Sequence, residues 1–284
     1  MGAIQVDKKI LFFDIDGTLI GRSTELRSST LRALQSAKEK GYILFISTGR
    51  ALASIYPSIK ELGFDGYITS ARSIIYVNNQ AIYEHYLPKA KVAQILELFQ
   101  KHHIYFTLET KHALYQTDGI KDFFDKLHEM EARSNQELER MRETRRNLPT
   151  SRKLDEFNLD IPVPKVTFVS PCKEDFLNIK HHFEDYFNIV LFSEDDKDYC
   201  NGELIDKTCT KGHALKKVCE YYQIPVEDSI AFGDSMNDYE MLSVAGTSVV
   251  FEGASEPLKA LGDYFFENPD NDGILKIMQE MNLI

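Results

Sequence analysis

No apolar run in the 284-residue chain approaches the roughly 18 residues that a membrane span requires, so the sequence predicts a soluble protein with no membrane partner. The opening MGAIQVDKK lacks the charged-then-apolar order of a signal peptide, and the apolar stretch after it is interrupted by Asp14 and Asp16. A cytoplasmic location is the expectation. Basic charge is scarce as well: 33 Lys and Arg stand against 44 Asp and Glu, a net charge of −11. That excludes a protein built mainly to neutralise a nucleic-acid backbone, which needs clustered cations, although one local anion site stays open. The four cysteines form no C-x-x-C pair and are too sparse for a disulfide scaffold, so buried free thiols are expected. Internal repeats and low-complexity linkers are missing too. What is present, 43% hydrophobic and 27% charged residues, is ordinary globular composition. The length allows one large domain or two unequal ones.

The first ninety residues alternate between two periodicities. Lys9–Ile15 is a nearly continuous apolar run, the pattern of a strand buried on both faces. Residues 30–40 read as a helix stopped by Gly41, residues 42–47 as a second buried strand, 51–62 as a second helix, and 67–70 as a third strand. The same grammar returns near the C-terminus, with helices over 212–222, 238–244 and 272–281 and strands over 229–232 and 247–251. Between these blocks Pro88 suits the first position of a helix, strand-like pieces follow at 104–108, 113–116, 165–169, 189–193 and 203–206, and 120–147 carries seven basic and seven acidic residues in a solvated helix pattern. The predicted fold class is α/β: a Rossmann-like parallel-sheet core with crossover helices over 1–85 and 196–284, discontinuous in sequence, and an inserted α+β cap over 86–195.

Four short segments at strand ends or helix starts carry the chemistry. Asp14-Ile15-Asp16-Gly17 closes the first strand. Residues two apart leave a strand on the same side, so both carboxylates point together at the end where open parallel sheets bind ligands. Two acids held close repel unless a proton or cation joins them, and Mg2+ is the hard ion suited to a few carboxylates, waters and a phosphate. Ser47-Thr48-Gly49-Arg50 closes the second strand with a hydroxyl and exposed backbone N–H groups, a natural anion cradle. Lys211 opens a helix. Gly233-Asp234-Ser235-Met236-Asn237-Asp238 follows a buried strand and can add a third carboxylate.

In this order DIDGTL, STGR, TKG and GDSMND resemble the four motifs of the haloacid dehalogenase superfamily of phosphohydrolases. The insertion between the second and third motifs resembles the Cof-type subfamily, whose cap is an α/β domain, and the similarity covers nearly the whole chain. The resemblance implies a nucleophile at Asp14, a general acid/base at Asp16, and phosphate contacts at Thr48, Gly49, Lys211 and Asn237. It also implies Mg2+ held by the Asp14 carboxylate, the Asp16 backbone carbonyl and Asp234, with Asp238 in the outer shell. Dehalogenase and phosphonatase branches lack the acid that stands here as Asp16, and transport ATPases carry a lysine where this chain has Ile15. Two departures stand out. The subfamily usually places Asn-Gly where this chain has Ala71-Arg72, a cation that either binds a second anionic group of the substrate or faces solvent. Near the C-terminus Glu252-Gly253-Ala254 replaces the usual Gly-Asn-Ala.

The expected activity is Mg2+-dependent hydrolysis of small phosphorylated metabolites, sugar phosphates first, through an aspartyl-phosphate. The expected partner is such a metabolite, with no nucleic acid, and the expected state is a monomer or weak homodimer. The alternatives are a sugar phosphomutase and a noncatalytic phosphometabolite sensor. The cap is expected to set specificity, with Tyr105, Glu109, His112 and Lys165 as its candidates.

Overall fold

The structure is a computed structural model that describes residues 8–21, 26–52, 55–70, 72–120, 122–123, 151–192 and 197–284. It divides into two compact units, Met1–Glu84 with Cys209–Ile284, and His85–Thr208. The first unit opens with β1 (Ile10–Phe13), β2 (Ile43–Ser47), β3 (Gly66–Thr69), β4 (Ile74–Val77) and β5 (Gln80–Glu84). The second unit holds β6 (Tyr105–Glu109), β7 (Leu114–Gln116), β8 (Ser151–Lys153), β9 (Lys165–Ser170), β10 (Phe187–Leu191) and β11 (Cys200–Asp206). The chain then returns to the first unit with β12 (Ser229–Gly233), β13 (Thr247–Phe251) and β14 (Tyr264–Phe266).

The first unit's strands form one sheet in the order β14-β13-β12-β1-β2-β3-β4-β5. The run from β14 to β3 is parallel, and β4 and β5 are antiparallel additions at the β3 edge. All four β1 residues are buried, as their unbroken apolar run predicts for a central strand. On one face Ile10, Phe12 and Phe45 pack with Ala214, Leu215 and Val218 of the helix Lys211–Tyr222 and with Met241 and Leu242. On the other, Phe13 stacks on Phe232 with ring centroids 4.5 Å apart and meets the edge of Phe64. The helices Ser28–Glu39 and Gly273–Glu280, which contact each other, bury Ala33, Leu34 and Ala37, and Ile274, Ile277 and Met278. Helices on both faces of a mostly parallel sheet are the doubly wound arrangement expected from the sequence.

The second unit is α+β. Its sheet runs β10-β11-β9-β6-β7-β8 and is antiparallel except where β7 pairs β8. One face puts Phe106, Leu108, Val166, Phe168 and Leu204 against Val92, Ile95 and Phe99 of the helix Lys89–Lys101 and Phe176 and Ile179 of the helix Lys173–Lys180. Strand alternation gives the other face Thr107, Glu109, Lys165, Thr167 and Glu203.

Several expectations need correction. The second boundary lies at Thr208 rather than near 196, because β11 pairs with β9 and β10 and so belongs to the second unit. The expected helix over 51–62 is reduced, among the described residues, to Pro57–Lys60. Pro57 drives Tyr56 to an extended conformation (φ −55°, ψ 138°), and a helix cannot run through it. Pro88 precedes rather than begins its helix. The β4–β5 hairpin was not expected. Cys172 is exposed, whereas Cys200, Cys209 and Cys219 are buried thiols. The charged segment 120–147 falls almost wholly outside the described residues.

Candidate active site

The sheet register brings the predicted segments to one level. Phe13 lies opposite Phe232 on β12 and opposite Ile46 on β2, so the residues that leave these three adjacent strands emerge side by side. They are Asp14, the Gly233-Asp234 turn and Ser47–Arg50. Gly17 makes the close approach between the first two possible. Its φ of +97° suits glycine, and a Cβ there would lie 2.1 Å from Oδ2 of Asp234. The Thr18 hydroxyl donates to Oδ1 of Asp234 at 3.0 Å, so the residue after the glycine orients the carboxylate that the glycine admits.

Lys211 is the first residue of its helix and is fully buried. Its Nζ donates to Oδ1 of Asp14 at 2.5 Å and also to Oδ1 of Asp238, which is itself fully buried. The other Asp238 oxygen accepts the backbone N–H groups of Asp234 (3.0 Å) and Ser235 (3.2 Å). Asp238 therefore shapes the loop and holds Lys211, with both oxygens engaged.

Asp14, Asp234 and Asp238 each bring a carboxylate oxygen within 4.8 Å of the others. Burial pushes the Asp14 carboxyl well up, Lys211 opposes this, and the charges of Asp238 and Asp16 add to it. Asp234 is likewise pushed up, first by burial and then by Asp14 and Asp238, with Thr18 and Lys211 opposing. Burial works against the Lys211 charge, but Asp14 and Asp238 outweigh it and the lysine is raised. One ammonium thus meets three crowded carboxylates, an excess of negative charge that a hard divalent cation would offset. The donor set fits Mg2+: Asp14 and Asp234 have a carboxylate oxygen to offer, while Asp238 is already committed.

Asp16 is placed differently. Arg50 grips it in a fork, Nε to Oδ2 and Nη2 to Oδ1, both at 2.8 Å. Arg50 also donates to the Tyr56 hydroxyl at 3.0 Å and stacks over that ring at 4.6 Å. Thr48 is buried and its Oγ1 accepts the Arg50 backbone N–H at 3.2 Å. A Cβ built at Gly49 would meet nothing within 4 Å among the described residues. Asn237 is exposed, and its carbonyl accepts Nη2 of Arg72 at 3.2 Å. Arg50 and Thr18 were not singled out from the sequence; each directly follows a motif glycine at a strand end, and that adjacency was the available signal.

In the second unit Glu109 and Lys165 stand directly opposite on β6 and β9. Lys165 is buried and pairs with Glu203 at 2.6 Å and Glu109 at 3.5 Å. Tyr105 is half-buried and meets the ring of Phe123, and His112 is exposed at the β6–β7 turn.

Among the described residues no helix is long and apolar enough to cross a membrane. The chain is 25% identical over 296 residues to phosphatase YwpJ of Bacillus subtilis, covering 96% of this chain and 99% of that protein. It is 26% identical over 285 residues to the pyridoxal phosphate phosphatase YbhA of Escherichia coli, covering 95% and 97%. The solved structure of the subclass IIB sugar phosphatase BT4131 superposes with a TM-score of 0.75 at 25% identity, covering 98% of this chain and all of that one. A family model for haloacid dehalogenase-like hydrolases matches residues 11–278, and with the strand-end cluster now in place the chain belongs to that family as a phosphatase, a phosphoric monoester hydrolase.

Proposed function

We propose that the protein hydrolyses small phosphorylated metabolites, sugar phosphates among them, through an aspartyl-phosphate formed on Asp14 with Mg2+ at the carboxylate cluster. Three features support the reading: the family, the relatives named for pyridoxal phosphate and sugar phosphate hydrolysis, and the cluster's chemistry. The observation that carries it is the contact of Lys211 with Asp14, a buried ammonium 2.5 Å from a carboxylate at the C-terminal end of a central parallel strand.

In this reading Asp14 and Asp234 hold the metal together with the Asp16 carbonyl, and Asp238 acts from behind. When bound, the ion supplies positive charge against which a phosphate dianion can approach these acids. The Asp14 oxygen attacks phosphorus in line and the alkoxide leaves. Lys211 faces the charge that builds on the phosphoryl oxygens, helped by Thr48, the Gly49 turn and Asn237. Asp16 gives a proton to the leaving oxygen and later takes one from the water that hydrolyses the intermediate. Both of its oxygens accept from Arg50, which fixes the direction of the carboxylate, and each oxygen keeps a second lone pair on which a proton can be carried.

The test is Asp14→Asn with phosphate release from a panel of phosphorylated sugars, nucleotides and cofactors. The expected result is a fall in turnover of about 10⁴-fold or more with circular dichroism unchanged. Turnover like that of the wild type would sink the covalent mechanism.

A further inference from the structure

Arg72 stands apart from the other cations of the site. Arg50 is matched by Asp16, and Lys211 by Asp14 and Asp238. Arg72, half-buried, has a neutral carbonyl, that of Asn237, as its hydrogen-bond partner. Its Nε is buried and meets no acceptor among the described residues. A guanidinium carries five donors, and leaving a buried one unpaired is costly. The backbone adds to the oddity. Arg72 holds a φ of +72°, two residues after Ser70 at +52°, a region that glycine or asparagine occupies far more readily than a long side chain. The buried Nε is out of reach of solvent, so an anion from outside the chain would meet the remaining N–H groups of this strained arginine, beside the loop that holds Lys211.

We infer that Arg72 is a specificity-determining residue whose guanidinium binds a second anionic group of the substrate, carried next to the phosphate that is cleaved. This rests on the proposed phosphatase reading, which seats the cleaved phosphate against Asp14 and Lys211. Arg72 reaches the same loop from its exposed side: Asn237, whose carbonyl it binds, adjoins Asp238, which holds Lys211. The two cations are close enough for the charge of Arg72 to work against that of Lys211. Their separate partners nonetheless leave the outer one for a second negative group. A guanidinium fork suits a phosphate or a carboxylate equally, so both are candidate groups.

The test is calorimetric binding of inorganic phosphate, pyrophosphate and 2-phosphoglycolate in the presence of Mg2+. The comparison is Asp14→Asn, which blocks hydrolysis, against Asp14→Asn/Arg72→Asn. Asparagine tolerates the left-handed backbone, so the double variant should melt no lower than its parent. The expected result is at least a tenfold fall in the affinity ratio of pyrophosphate or phosphoglycolate to phosphate, partly restored by Arg72→Lys. A fall for pyrophosphate alone identifies a second phosphate as the group, for phosphoglycolate alone a carboxylate, and for both an anion of either kind. Ratios unchanged within about twofold for both probes overturn the inference. Because the readout is binding in a protein that does not turn over, loss of the phosphatase reading would show separately, as no phosphate release by the wild-type enzyme.

Discussion

Arg50 holds both carboxylate oxygens of Asp16 at 2.8 Å, although the two residues belong to the turns after different strands, β2 and β1. The side chains are only 9% and 21% exposed, so the pair is screened far less than a surface bridge. The bonds to Asp16, with help from Tyr56, prevail over burial and raise the Arg50 pKa, so this arginine stays charged. Removing it takes the fork away from a partly buried carboxylate whose charge acts on Asp14. Arg50→Ala should therefore cost about 2–3 kcal/mol of stability in denaturant titrations. Arg50→Lys keeps the charge and loses the fork, and should recover part of that stability while kcat stays about tenfold down. If the alanine variant is as stable as wild type, the fork has no structural weight.

The strand ends were legible in the sequence because each rests on a local pattern. The apolar runs at 9–15, 42–47 and 229–232 are buried parallel strands, and the acids, hydroxyl and glycines that close them meet because β12, β1 and β2 are neighbours. The Arg50–Asp16 fork was not legible, since it depends on how two long-range turns aim their side chains. The β4–β5 hairpin carries a local signal in Asn78-Asn79, which joins two β-rich runs: both residues take positive φ (+47° and +64°), the requirement of a tight two-residue hairpin turn. The boundary near 196 failed because membership of β11 is decided by pairing with β9, thirty residues away in sequence, which composition does not reveal.

Lys211 is buried between Asp14 and Asp238, so its loss strands two carboxylates without their cation. Lys211→Met, of similar length and apolar, should abolish measurable turnover and cost about 3–5 kcal/mol in the metal-free protein. A metal-free melting temperature equal to that of the wild type would contradict the buried-pair geometry.

The acid limb of stability should depend on Asp206. Burial opposes its charge, but bonds from the Tyr186 hydroxyl, the Thr208 backbone and hydroxyl, and His85 prevail and bring its pKa down to about 2. A carboxylate depressed in the folded state contributes stability that is complete above its unfolded value of about 3.9. That contribution is lost as pH falls towards 2. Urea titrations at pH 5 and pH 3 should show a smaller drop for Asp206→Asn than for the wild type. Equal drops would remove Asp206 from the account.

Metal binding should appear as stability before any assay of turnover. A ligand that binds only the folded state at ten times its Kd adds about 1.4 kcal/mol. Mg2+ should raise the wild-type melting temperature and leave Asp234→Asn nearly unmoved, since that variant loses an anionic oxygen from the cluster. An equal rise in both proteins would place the ion elsewhere.

Gly17 and Gly41 separate backbone strain from site geometry. Both take left-handed φ, +97° and +91°, but a Cβ at Gly41 would meet nothing within 4 Å among the described residues, whereas at Gly17 it would run into the Asp234 carboxylate. Gly41→Ala should therefore cost only the about 1–2 kcal/mol of an alanine held in that region. Gly17→Ala carries the same backbone cost and must also displace Asp234, breaking its bond with Thr18 and spreading the carboxylate cluster. Its predicted signature is a loss of the Mg2+-induced rise in melting temperature, which Gly41→Ala should retain in full. If both variants keep that rise, the close approach of Gly17 to Asp234 is not what holds the carboxylates together.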